Sequence, residues 1–161
     1  MNSFFPHCVK MWNDIGNEVR NCVSLSTFKN KIFSLIRPQK KETFGIDNPS
    51  GIKNLFRLRV GLSQLKHHKK RHNFLDTPTD MCDCQVEGED CTHFFLSCVL
   101  YDAQRTALLN SVMAIFRKYH LNEQAINIKV LLYGHPIMTS TDNKTILQAT
   151  IQFINDTGRF S

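Results

Sequence analysis

The stretch Met81–Cys98, MCDCQVEGEDCTHFFLSC, sets Cys82, Cys84, His93 and Cys98 within 17 residues. The pattern is Cys-x-Cys, eight residues, His, four residues, Cys. Three thiols and one imidazole form a tetrahedral ligand set for structural Zn²⁺, and four protein ligands leave no open coordination position for a substrate. The intervening Gln85–Thr92 is almost wholly polar and has nothing with which to bury a core. Metal ligation would supply the missing stabilisation, roughly 10–16 kcal/mol in zinc-finger peptides near neutral pH.

The spacing also constrains the backbone. Residues five apart on an α-helix lie about 140° apart around its axis, so His93 and Cys98 cannot both reach one ion from a single straight helix. A long helix is therefore expected to begin near Cys98, with this thiolate at its positive end. The bland alternative is a set of reduced cysteines in an ordinary helical protein. Cys91 lies inside the window and competes with the four for a place in the ligand set.

Around this window charge is sharply partitioned. Residues 51–75 hold seven Lys/Arg (Lys53, Arg57, Arg59, Lys66, Lys69, Lys70, Arg71), three His and no carboxylate. Residues 76–102 hold seven Asp/Glu and no Lys/Arg. The seven cations are candidate nucleic-acid contacts, because phosphate binding is driven by counterion release from Lys and Arg. The net charge of +6 points the same way, towards RNA or DNA. A run such as Lys66–His72 is more often a solvated helix face, and short basic runs also serve as nuclear import addresses. Three thiolates with Zn²⁺ carry net negative charge, so the acidic knuckle suits a protein partner better than phosphate. His67 and His68 are expected to stand exposed beside the lysines, and Phe94-Phe95 to pack in the core rather than stack on bases.

The hydrophobic periodicity is helical nearly throughout, and the expected fold is mainly α, a small helical domain with an inserted Cys-Cys-His-Cys knuckle-like loop. Its expected segments are a helical pair over 1–38, a linker over 39–50, a basic helical segment over 51–75, the knuckle over 76–98 and C-terminal helices over 99–161. In the third segment Ile52, Leu55, Phe56, Leu62 and Leu65 form one apolar face, weakened by Gly61. Val99 to Tyr119 carries the strongest helical stripe, Ile126–Leu132 is ambiguous, and Asp142 is the expected cap of the last helix. No run reaches the roughly 18 apolar residues of a membrane helix. The start lacks the apolar core of a signal peptide, so an intracellular place, nucleus or cytoplasm, is expected. Neither a membrane nor a small-molecule substrate is expected as a partner.

These residues together resemble a known family. Phe4-Phe5-Pro6, Val9, Trp12-Asn13, Arg20-Asn21, Ser24-Leu25 and Phe28-Lys29 are similar to the end of the thumb in reverse transcriptases of non-LTR retrotransposons. Leu55-x-x-Leu58-Arg59-Val60, His68-Lys69, Arg71-His72-Asn73-Phe74 and Asp76-Thr77 resemble the linker that follows it. Cys82-x-Cys84, Glu89, His93-Phe94-Phe95-Leu96, Cys98, Tyr101 and Arg105 resemble the knuckle near the C-terminus of those polyproteins. The resemblance implies a C-terminal region of an RNA-directed DNA polymerase with zinc on Cys82, Cys84, His93 and Cys98. Two residues depart from it: Cys91 stands where a polar residue is usual, and Val99 where Pro is common. Polymerase chemistry needs carboxylates holding two metals, and the chain contains no Asp-Asp pair. A non-catalytic role is therefore expected.

Overall fold

The computed structural model describes residues 21–29 and 45–160. The chain divides into two compact units, Met1–Lys41 and Glu42–Ser161. In the first unit, a helical turn over 25–29 starts at Ser24, whose Oγ accepts the Thr27 amide at 3.1 Å. The amphipathic helix expected around Trp12, and the helix stop at Pro38, lie outside the described residues.

The second unit is helical, as its periodicity requires. Its helices are α1 (Pro49–Arg59), α2 (Lys66–Arg71), α3 (Asp102–Phe116), α4 (Ile128–Tyr133) and α5 (Ser140–Asp156). Among the described residues the only β pairing is one antiparallel bridge, Met81 with Gly88. The central element is α5, which packs against α1, α3 and α4. It buries Ile146, Leu147, Thr150, Ile151, Phe153 and Ile154. One apolar cluster joins α1, the π turn of the knuckle, α3, α4 and α5. The basic segment, the knuckle and the C-terminal helices thus share one interior.

Local chemistry sets the ends of these helices, and several differ from expectation. The expected linker gives way to helix at Pro49, because Asn48 Oδ1 accepts the Gly51 amide at 2.8 Å and Pro49 suits the first helical position. The apolar face expected to run from Ile52 to Leu65 is broken after Arg59. Gly61 takes φ +71°, and Phe56 and Leu62 are exposed while Leu55, Leu58 and Leu65 are buried. The long stripe is likewise shorter than expected. Val99, Leu100, Ala103 and Ala107 face outward, and burial begins at Arg105 and Leu108.

The ambiguous run resolves as α4, capped by Asn127, whose Oδ1 accepts the Lys129 and Val130 amides. Asp142 is not the cap of the last helix. Thr139 is, its Oγ1 accepting the Asp142 amide at 3.2 Å while donating to the Asp142 carboxylate at 2.9 Å. The Thr139 amide itself donates to Tyr119 Oη at 3.0 Å, so the reciprocal bond of a capping box is not made.

Candidate metal centre and its surroundings

The knuckle begins as a tight hairpin. The Cys82 amide donates to Glu87 O at 3.0 Å and the Glu89 amide to Asp80 O at 2.7 Å. Between them Gln85 turns the chain at φ +60°, and its amide bonds back to Cys82 O at 2.9 Å. This turn aims both sulfurs of Cys82-Asp83-Cys84 inward. The other two donors come from a turn of π-helix, His93–Ser97, followed by Cys98 in extended geometry. The wider π turn and the extended Cys98 resolve the 140° conflict posed by an α-helix: His93 points to the ion site from within the turn, and Cys98 from just beyond it. A 3₁₀ turn, Val99–Tyr101, starts directly after Cys98 and leads into α3.

The four donor atoms all lie within 4.8 Å of one another, close enough to hold one metal ion. Cys82 Sγ and Cys98 Sγ are 3.7 Å apart, and Cys84 Sγ is 3.2 Å from His93 Nε2. Zn–S bonds of about 2.3 Å in a tetrahedron place sulfurs roughly 3.8 Å apart, so the spacing fits. Cys82, His93 and Cys98 are buried and Cys84 is half-buried. The amides of Cys84, Val86 and Leu100 hydrogen-bond to the sulfurs of Cys82, Cys84 and Cys98 respectively. Such donors favour sulfur as thiolate.

The thiols do not ionise alike. Burial pushes Cys82 up to about 12, and burial likewise raises Cys98. At Cys84 burial acts upward too, but hydrogen bonds from the Val86 amide, Cys82, His93 and Cys98 outweigh it and bring the thiol down to about 7. Three adjacent sulfurs resist carrying charge together, and a divalent cation removes that conflict.

His93 is oriented from behind. Its Nδ1 lies 2.7 Å from Glu87 Oε1, and Ser97 Oγ donates to the same oxygen at 2.8 Å. These two bonds, that of His93 first, hold the Glu87 carboxyl below its usual range. A carboxylate on the far nitrogen of a ligating His fixes its tautomer and ring orientation. Sequence spacing alone did not single out Glu87.

Cys91 stays out of the cluster. Its Sγ lies 3.8 Å from His68 Nε2, and His68 Nδ1 is 2.7 Å from Ser63 Oγ. His68, expected to be exposed, is buried at 7% relative accessibility, and burial with the nearby Arg71 charge lowers its pKa. His67 is exposed as expected.

Phe94 and Phe95, the residues after His93, are fully buried and edge-pack at 4.9 Å, with Phe94 also 5.2 Å from both Tyr101 and Phe153. The four-donor cluster therefore rests directly on the core. Arg105, 8% exposed, clamps it from α3: Nε donates to Phe95 O at 3.0 Å, Nη2 to Cys98 O, and Nη1 pairs with Asp102.

The basic and acidic blocks meet each other. Lys66, Lys69 and Lys70 pair with Asp83, Asp76 and Asp80 at 2.5, 2.6 and 2.9 Å. Glu89 caps α2, taking the Lys66 amide on Oε2 at 2.8 Å and the His67 amide on its carbonyl at 3.3 Å. The opposite end of α2 closes with Asn73 at φ +56° and the Phe74 amide on Lys69 O. The remaining four cations lie apart from the acidic loop. Lys53, Arg57 and Arg71 are exposed. Arg59 donates from Nε to Leu132 O at 2.6 Å and lies over the Tyr133 ring.

Compared with known proteins, the chain matches no family model, no curated protein and no solved structure. No helix among the described residues is long and apolar enough to cross a membrane.

Proposed function

We propose that the chain is a non-catalytic nucleic-acid-binding module braced by a structural zinc ion on Cys82, Cys84, His93 and Cys98. The observation that carries the zinc reading is the convergence of four donors within 4.8 Å, with Glu87 steering the imidazole. Three sulfurs and one nitrogen at tetrahedral spacing suit Zn²⁺ and leave no ligand position for activated water. When bound, the ion supplies cross-linking and charge neutralisation. The chain's own residues do the rest: Glu87 orients, Arg105 clamps and Phe94 anchors the site in the core.

The nucleic-acid reading draws on the net charge of +6 and on the resemblance of the knuckle and its linker to the C-terminal region of non-LTR retrotransposon polyproteins. On that reading the chain works inside the cell, beside RNA or DNA. Elemental analysis of reduced, purified protein should return one zinc per chain. A gel shift across a salt series should then show binding that weakens steeply with ionic strength. Absence of stoichiometric zinc would sink the first half of the proposal, and absence of a shift at low salt the second.

A second reading has its own support. Val86, Val99 and Leu100 are exposed around the metal centre beside Asp83 and Glu87, an apolar and acidic surface that suits a protein partner.

A further inference from the structure

The lysines of α2 are engaged by carboxylates, so the positive charge available to a polyanion lies elsewhere. Along α1 and its C-cap, Lys53, Phe56, Arg57 and Val60 are all exposed and recur at i, i+3, i+4 and i+7, one continuous stripe. Phe56 is 58% exposed. At the end of the stripe the chain turns at Gly61, where a built Cβ would stand 2.9 Å from Arg71 Nη2, which places that guanidinium against the turn. His72 Nε2 sits 3.2 Å from Gly61 O. Beside the same end of α1, the hydroxyl of Tyr133 donates to Arg59 O at 3.1 Å; the residue is 47% exposed, with the Arg59 guanidinium over one face of its ring.

Neither α1, nor the segment from Val60 to Arg71, nor α4 contains an Asp or Glu. Among the described residues Lys53, Arg57 and Arg71 form no ion pair. Unopposed cations interleaved with exposed aromatic rings are the combination that holds an unpaired strand, phosphates on the cations and bases on the rings. A duplex keeps its base faces stacked inside and offers nothing to such rings.

We propose that this surface binds single-stranded nucleic acid, with phosphates on Lys53, Arg57 and Arg71 and bases against Phe56 and Tyr133. The inference rests on the nucleic-acid reading above and assigns it a place and a strand state.

The test is fluorescence anisotropy of the zinc-loaded full chain with labelled single-stranded RNA and an RNA duplex of equal length, over a salt series. Phe56→Ala should weaken single-strand binding about tenfold with the salt slope unchanged, as expected for loss of one stacking ring. K53Q/R57Q/R71Q should lower the slope by about 2, near 0.7 for each phosphate contact removed. K66Q/K69Q/K70Q should change affinity by less than about threefold, since those lysines already face carboxylates. Circular dichroism checks that each variant keeps its helices, and Lys53, Phe56, Arg57 and Arg71 are all exposed. Loss on K66Q/K69Q/K70Q with none on K53Q/R57Q/R71Q would overturn the surface and spare the nucleic-acid reading. Equal affinity for duplex, untouched by Phe56→Ala, would overturn the single-strand assignment. Failure of the wild-type chain to bind either probe at low ionic strength would remove the underlying reading, and this surface with it.

Discussion

The guanidinium of Arg159 grips the carboxylate of Glu89 with two parallel hydrogen bonds, Nε to Oε1 at 2.5 Å and Nη2 to Oε2 at 2.7 Å. Glu89 is 1% exposed and also takes the first amide of α2, while Arg159 donates further to Gln64 O at 3.0 Å. One buried anion thus joins the knuckle, the start of the basic helix and the segment after α5.

Removing one member of a buried pair leaves the other uncompensated, at a cost of about 3–5 kcal/mol. Arg159→Leu should therefore lower stability by about 3 kcal/mol in urea denaturation. The Glu89→Gln/Arg159→Leu double variant should recover part of that loss, because the stranded charge is gone. A single variant within about 0.5 kcal/mol of wild type would mean that the pair is not formed in solution.

Glu87 touches the candidate metal site only through His93 Nδ1, at 2.7 Å. Loss of such a supporting carboxylate weakens metal affinity about 10–100-fold. Glu87→Ala should show this in competition with a chromophoric chelator, with one ion still bound per chain at saturation. Unchanged affinity would mean that the His93 ring is held by its packing alone.

Asp142 accepts from Tyr119 Oη at 2.7 Å, from Lys118 Nζ at 2.9 Å and from Thr139 Oγ1 at 2.9 Å. These bonds, that of Tyr119 first, lower its pKa from 3.8 to about 2. A depressed carboxyl stabilises the fold above its unfolded pKa, and that contribution fades as pH falls through the folded value. Between about pH 4 and pH 2, Asp142→Asn should show a flatter loss of stability than wild type. Parallel acid titrations of the two proteins, followed by helix ellipticity, would contradict this.

Gly134 ends α4 at φ +82°, ψ −176°, a conformation nearly closed to residues with a Cβ. A Cβ there would also stand 2.5 Å from Asn143 Oδ1, the acceptor of the His135 amide. Gly134→Ala should destabilise the unit by about 2 kcal/mol or more, read by thermal and urea unfolding. A neutral variant would show that the turn relaxes without cost.

Local signals made the helical class and the convergent ligand set legible, because both follow from residue spacing. Phe56 lies off the face that α1 buries, Gly51, Leu55 and Leu58 at i, i+4 and i+7, and Leu62 lies beyond the break at Gly61. Thr139 and Asp142 satisfy the cap-and-third-residue pattern, and reading both rather than the aspartate alone would have placed the helix start. Other features have no local signature. Arg159 and Glu89 meet across 70 residues, Arg105 reaches back to Phe95 and Cys98, and Lys66, Lys69 and Lys70 find their carboxylates only once the hairpin folds onto α2. A charge block read along the chain looks available to an outside partner until the fold brings its opposite beside it.

The π turn over His93–Ser97 carries one residue more than an α-helical turn between the same ends. Each residue advances a helix by about 100°, so adding or deleting one position there would rotate everything downstream by that angle. Arg105 would swing off the carbonyls of Phe95 and Cys98, and Leu108, Val112 and Phe116 would leave the interior together. The turn is the molecule's indexing point, where the count of residues between two ligands also sets the phase of the long helix behind them.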